Sequence, residues 1–469
     1  GSSPPISLDT DDGRATSTVS LTDGEQLWTG LSYGIPVVPT PDQCEQALDA
    51  TVDYWQNWSH SCPDETECVF GGPWHELAVR SGLVLKLLTH HETGAIAAAP
   101  TTSLPEEIGG IRNWDYRYNW IRDAALTIQA LTNLGHASEA RAYLSWFLDL
   151  CQTTDPAEIQ PLYGLHGETD LDEQTLSHLT GYRGSRPVRI GNEAAEQRQL
   201  DTYGELVLAI FEATRAGVRL TPDDWEAICR IVDYVTEIWT EPDSGIWEVR
   251  SEPLDFVFSK LMCWVALNYG IALAETTGFE APLDRWRHHR SQLRAEILNR
   301  GLDPDGEYFV RSFEEDDVLD AATLLVPFVG FLPFDDRRVR ATIEEIDDRL
   351  ATEEGLVYRY DGVDGLAGGE GTFLLCSFWL VDALAMTGRV EEAEQRLERL
   401  IGYVSPVGLL AEEVDSETGM QLGNYPQAFS HIGLLNSALY LSRAKGMAVP
   451  GPELLGIELG DVPIADSDD

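Results

Sequence analysis

Phe373-Leu374-Leu375-Cys376-Ser377-Phe378-Trp379-Leu380-Val381 is followed, after a turn at Gly388, by Glu391-Glu392-Ala393-Glu394-Gln395-Arg396-Leu397-Glu398. The first segment is apolar nearly all round, whereas the second is amphipathic. A helix of the first kind has to be buried, and one of the second kind can cover it. The same rhythm runs through most of the chain. Apolar periodicity predicts helices over 41–58, 73–90, 119–134, 136–152, 200–217, 222–240, 256–277, 281–299, 318–331, 336–351, 371–387, 389–403 and 425–445. Short turns such as Leu134-Gly135-His136, Gly217-Val218-Arg219 and Gly388-Arg389-Val390 join neighbours. Pro222 after Thr221 marks a helix start, and Gly135, Gly278 and Gly388 mark helix ends. About six pairs, apolar inside and charged outside, read as an all-α fold, an (α/α)6 barrel of two concentric helix rings. No sequence-level repeat is visible, so an α-solenoid is the competing architecture. Long, aromatic-rich connections between helices favour the closed ring, because a pocket requires them.

Residues 1–40 are rich in turn residues, with a stretch of partial polar–apolar alternation, and read as one or two strands and a linker. Residues 41–447 carry the helical pattern, and 448–469 form an acidic tail. Of 469 residues, 79 are acidic and 32 basic, for a net charge of −47. Only Lys86, Lys260 and Lys445 are lysines; the other basic residues are arginines. Acidic residues spread over most helices point to a surface adapted to high salt, where screening removes self-repulsion. Such a field excludes nucleic acid and anionic lipid as partners and tolerates a neutral ligand such as a sugar. No apolar run reads as long enough to span a membrane. The odd count of seven cysteines and their scatter fit a reducing, cytoplasmic and salt-rich compartment. Cys151, Cys229, Cys263 and Cys376 lie in apolar helical runs and read as small core residues. Cys62 and Cys68 with His60 lack a fourth ligand at zinc-finger spacing, so no metal is expected.

Gly245-Ile246-Trp247-Glu248 and Leu410-Ala411-Glu412-Glu413-Val414-Asp415 each place a carboxylate where a helical pattern gives way to a turn. Two separated carboxylates in one pocket are what hydrolysis of a sugar acetal needs. One protonates the leaving oxygen, and the other deprotonates a water on the opposite face of the ring. An apolar neighbour such as Trp247 is expected to keep the acid protonated by disfavouring its anion. No metal or organic cofactor is needed. The densest polar-aromatic stretch is Gly109–Asp123, containing Tyr116, Trp120, Arg122 and Asp123. Aromatic faces stack on sugar rings while Arg and Asp bond hydroxyls. The alternative for Arg122 and Asp123 is a buried ion pair among core aromatics. The loop 182–199, Arg359 between Tyr358 and Tyr360, and Tyr425 in Leu422-Gly423-Asn424-Tyr425-Pro426-Gln427 are further pocket candidates.

Asn113–Ala125, Ile190–Glu205, Gly245–Glu248, Ser259–Trp264, Leu319–Ala321, Leu356–Phe373 and Glu412–His431 together resemble glycoside hydrolase family 15, over about residues 41–445. That family contains glucoamylases, glucodextranases and some trehalases. The resemblance implies an (α/α)6 barrel and hydrolysis with inversion at the anomeric carbon. It assigns the general acid to Glu248 and the general base to Glu412, with Glu413 as the competing position. Trp120, Arg122 and Asp123 inherit the binding of the non-reducing-end glucose, and Arg359 contacts the same sugar. Tyr116, Trp247 and Tyr425 are implied to stack around it. The implied activity is glucoamylase-like release of β-glucose from α-glucan ends; a trehalase acting on a disaccharide is the alternative. A catalytically inactive carbohydrate-binding scaffold is a third reading. Residues 1–40 would be the remnant of an N-terminal β-sandwich that members of this family carry.

Overall fold

The structure, a computed structural model, describes residues 2–3, 6–11, 14–31, 39–59, 73–215 and 217–446. His60, Cys62, Cys68 and the acidic tail 448–469 lie outside the described residues. The chain divides into two compact units, residues 1–61 and 62–469.

Among the described residues of the first unit, four short strands form two antiparallel pairs. They are β1 (Ser2–Ser3), β2 (Asp9–Asp11), β3 (Arg14–Thr16) and β4 (Trp28–Thr29), paired β1 with β4 and β2 with β3. Helix α1 (Pro41–Ser59) follows. Thr40 and Gln43 cap it reciprocally, each backbone N–H donating to the other's side-chain oxygen, at 3.0 and 3.3 Å.

The second unit holds the barrel. Its outer helices are α2 (His75–Leu88), α4 (Ala137–Thr153), α6 (Pro222–Ile238), α8 (Leu283–Arg300), α9 (Arg337–Arg349) and α11 (Val390–Ile401). Its inner helices are α3 (Ile121–Asn133), α5 (Asp201–Arg215), α7 (Val257–Thr277), α10 (Leu374–Met386) and α12 (Ala428–Ala444). The sixth inner position is a 3-10 turn, Ala321–Leu325, between α8 and α9. Inner elements pack in the order α3, α5, α7, 321–325, α10, α12, and α12 returns to α3. The array closes on itself, which excludes the solenoid.

Burial follows the hydropathy pattern. Every residue of α7 from 257 to 274, and of α10 from 374 to 385, is buried. In α11 only Ala393, Leu397 and Leu400 are, a single stripe at helical spacing. Two expectations change. The predicted helix over 318–331 is only the short 3-10 turn, since Pro327 and Gly330 interrupt it and Asp320 caps it at the Ala322 N–H, 2.8 Å. And α7, at 21 residues, is long and apolar enough to cross a membrane, yet the apolar window that qualifies it lies wholly inside the fold.

Inner helices approach closely where a side chain is missing. A Cβ at Gly204 of α5 would lie 2.2 Å from the Met262 carbonyl oxygen of α7. Gly204→Ala is expected to lower unfolding stability by about 1–3 kcal/mol, the usual cost of overpacking a core. Denaturant unfolding checks this, and an unchanged midpoint would contradict the packing described.

Candidate active site

The loops at one end of the inner ring line a cavity that opens to solvent. Tyr116, Trp120, Arg122, Asp123, Trp247, Glu248, Arg359 and Glu412 all line it, although they come from four separated parts of the chain. Tyr425 does not. Its hydroxyl donates to Ser405 at 3.0 Å, and its backbone N–H to Thr101 Oγ1 at 3.1 Å. Two residues further on, Gln427 supplies a wall of the cavity from that loop.

Trp120 ends β5 (Asn119–Trp120), which pairs with β6 (Leu162–Tyr163), and it is the N-cap of α3. Arg122 and Asp123 follow in the first helical turn. Arg122 is buried and donates Nη1 to Asp201 at 2.8 Å and to Gln199 at 3.1 Å, with Nη2 directed at Glu248 at 3.2 Å. Its ion pairs are thus with Asp201 and Glu248 rather than with the adjacent Asp123. Burial, with the Glu248 charge adding to it, pushes the Asp123 carboxyl up to about 7 against the pull of Arg122.

Glu248 sits in the connection from α6 to α7 at φ 58°, the left-handed region that a glutamate rarely adopts. Such conformations cost roughly 1–3 kcal/mol and persist where surrounding structure over-determines them. Here the Trp120 indole N–H donates to Glu248 Oε1 at 2.6 Å, beside the Arg122 contact. A proton on Glu248 therefore has to sit on Oε2. The Trp247 indole N–H donates to Asp320 at 2.9 Å and its ring meets Phe373 edge-on at 5.3 Å, so it is tied into the wall.

Glu412 immediately precedes β10 (Glu413–Val414). This strand pairs with β9 (Thr372–Phe373) on one side and β11 (Gln421–Leu422) on the other; β7 (Gln174–Thr175) and β8 (Arg189–Ile190) form a separate pair. Successive residues of an extended segment face opposite sides. Glu412 lines the cavity, whereas Glu413, fully buried, accepts the Gly371 N–H at 2.8 Å. That alternation separates the two candidates, and Glu413 is internal rather than solvated. Gly423, at φ 75°, passes directly beneath Glu412: a Cβ there would stand 2.8 Å from Oε2. Burial raises the Glu412 pKa well above the ordinary range, with the Glu106 charge adding to it; Arg359 and the Tyr116 hydroxyl act the other way. Arg359 is fixed by two bonds to Glu370, and Trp247, Tyr360 and Phe373 lie under its guanidinium at 5.3–5.6 Å.

Several lining residues had no distinct sequence signal. Glu106 follows Pro105 in an irregular segment, and Asp364 lies in the glycine-rich stretch 362–371. Asp364 accepts from Arg112 at 2.6 Å. Arg189 and Arg250 each lie over the Trp114 ring, at 4.6 and 4.4 Å from its centroid. Glu106, Glu370 and Glu413 each offer an oxygen within 4.8 Å of the others, a spacing that could enclose a cation. Both oxygens of Glu370 are, however, already taken by Arg112 and Arg359.

A closed double ring of helices, with two glutamates and a set of aromatic and arginine side chains around one cavity, defines an (α/α)6 barrel of the glycoside hydrolase type. The description "Glycosyl hydrolases family 15" matches residues 72–439, and the chain belongs to that family. It is 42% identical over 445 residues to a trehalase of Mycolicibacterium smegmatis, covering 92% of this chain and 65% of that protein. It is 37% identical to a trehalase of Thermoplasma volcanium, covering 95% and 70%. The chain thus spans about two thirds of the length of these relatives. A bacterial glucoamylase crystallised in complex with acarbose shares the fold at TM-score 0.65 and 15% identity, over 88% of this chain and 60% of that one. The relatives at higher identity carry the name trehalase, which runs against the glucoamylase-like expectation.

Proposed function

We propose that this chain forms the catalytic barrel of an inverting α-glucoside hydrolase that cleaves α,α-trehalose. The observation that carries the reaction class is the convergence of Glu248 and Glu412 on one cavity. The naming of the relatives favours trehalose over α-glucan ends. In this reading Glu412 takes a proton from water as the water oxygen bonds to the anomeric carbon. The glycosidic C–O bond breaks, and the proton of Glu248 goes to the departing oxygen. Arg122, Asp123 and Arg359 hold the hydroxyls of the attacked glucose, with Tyr116 and Trp120 beside it. The Arg122 contact to Glu248 links sugar binding to the acid.

The test is turnover of trehalose, maltose, maltotriose and starch, with the initial anomers followed by NMR. Inversion of trehalose releases α- and β-glucose in equal amounts, because only the attacked unit changes configuration. Turnover of maltose and starch without trehalose restores the glucoamylase reading, whose support is the shared fold. Release of α-glucose alone would exclude inversion.

A further inference from the structure

The mouth of the cavity carries polar side chains that cleavage of the bond does not use. Side-chain exposure rises from 5% at Arg122 to 20% at Glu248 and 24% at Arg250, so Arg122 marks the closed floor and Arg250 the rim. The attacked glucose fills the floor, beside Arg122 and Glu412. The unit that departs has to lie on the rim side of Glu248, toward Arg250.

That rim is a cross-linked frame. Arg250 follows Glu248 by two residues and lines the cavity together with Trp114. Its guanidinium, stacked on the Trp114 ring, pairs with Glu173 and with Glu193, each at 2.8 Å. Glu173 also pairs with Arg189 at 2.9 Å, and Arg189 lies over the same ring. The Arg250 backbone N–H donates to the Asp364 carbonyl at 2.9 Å. An arginine restrained at its backbone, its ring face and its fork has little rotamer freedom left to lose on meeting a ligand. Glu173 and Glu193 balance the charges of Arg189 and Arg250, so the frame complements a neutral sugar rather than an anion. Other polar groups at the rim are already engaged. The Asp364 carboxylate accepts from Arg112, Tyr360 and the Leu366 N–H. Gln197 donates to the Glu248 and Val249 carbonyls, and its oxygen accepts from Gln199. Arg250 has five N–H groups, more than its two acidic partners draw on.

We infer that Arg250 is a specificity-determining residue: it donates to a hydroxyl of the departing glucose next to the linkage, while Trp114, Glu173 and Arg189 hold it in place. The identity of that departing unit rests on the trehalose reading.

The experiment compares the wild-type full chain with Arg250→Gln and Arg250→Lys on trehalose, maltose and α-glucosyl fluoride. The fluoride fills only the floor, and its leaving group is a single atom. Arg250→Gln should lower kcat/KM for trehalose by about 10–100-fold, the loss of a hydrogen bond from a charged donor. Turnover of the fluoride should fall by no more than about threefold, because that substrate never made the contact. If Arg250 serves only to hold the wall together, both substrates lose alike, since the same wall carries Glu248. Equal losses, or none, therefore overturn the proposal. Should Arg250→Gln fail to fold, Arg250→Lys, which keeps a cation for Glu173 but no fork, has to show the same split, and an unmoved trehalose-to-fluoride ratio refutes it. If wild type cleaves maltose and not trehalose, the substrate reading falls and the maltose-to-fluoride ratio decides the role of Arg250. If wild type cleaves trehalose and the ratio stays put in both variants, the substrate reading stands and the assignment of Arg250 is wrong.

Discussion

Glu412→Gln should abolish most turnover of every substrate, lowering kcat by about 10²–10⁴-fold, the range of a general base. Glutamine keeps the shape of the side chain above Gly423 but cannot take a proton from water. Because the water has to be activated whatever group departs, α-glucosyl fluoride should be turned over no better than trehalose. Binding should survive, since the groups assigned to the sugar's hydroxyls, Arg122, Asp123 and Arg359, are untouched. Steady-state kinetics with both substrates measures this. Activity within a few-fold of wild type would remove Glu412 from the mechanism.

Glu248→Gln should lower trehalose turnover by a similar factor, about 10²–10⁴-fold, but spare the fluoride. A sugar oxygen needs a proton to leave, whereas fluoride departs as the anion. The amide can still accept the Trp120 indole N–H through its oxygen, so the wall of the cavity should stay in place. The contrast between the two variants carries the assignment. If the fluoride rescued Glu412→Gln and not Glu248→Gln, acid and base would be exchanged.

Much of the candidate site was legible because it is locally encoded. Trp120, Arg122 and Asp123 occupy the end of a short strand and the first turn of one helix, so a single stretch delivers all three. Glu248 beside Trp247 and the doublet Glu412-Glu413 could be found in the same way. The sequence could not tell that Trp247 is tied to Asp320 and that Trp120 is the aromatic bonded to Glu248, because both contacts join distant segments. Tyr425 was misplaced for a related reason: Thr101 and Ser405 pull it aside, and the less conspicuous Gln427 faces the cavity. Glu106 carried no signal among so many acidic residues, since its environment is assembled from residues 112, 359, 370, 412 and 413.

The order of hydrophobic and amphipathic helices, and hence the architecture of paired layers, was determined by the sequence itself, because burial of a helix face follows from local periodicity. Closure of the ring was decided only by the tertiary structure, where α12 meets α3. So was the choice of which carboxylates face one another, because their charges and hydrogen bonds act through space between segments that are far apart along the chain.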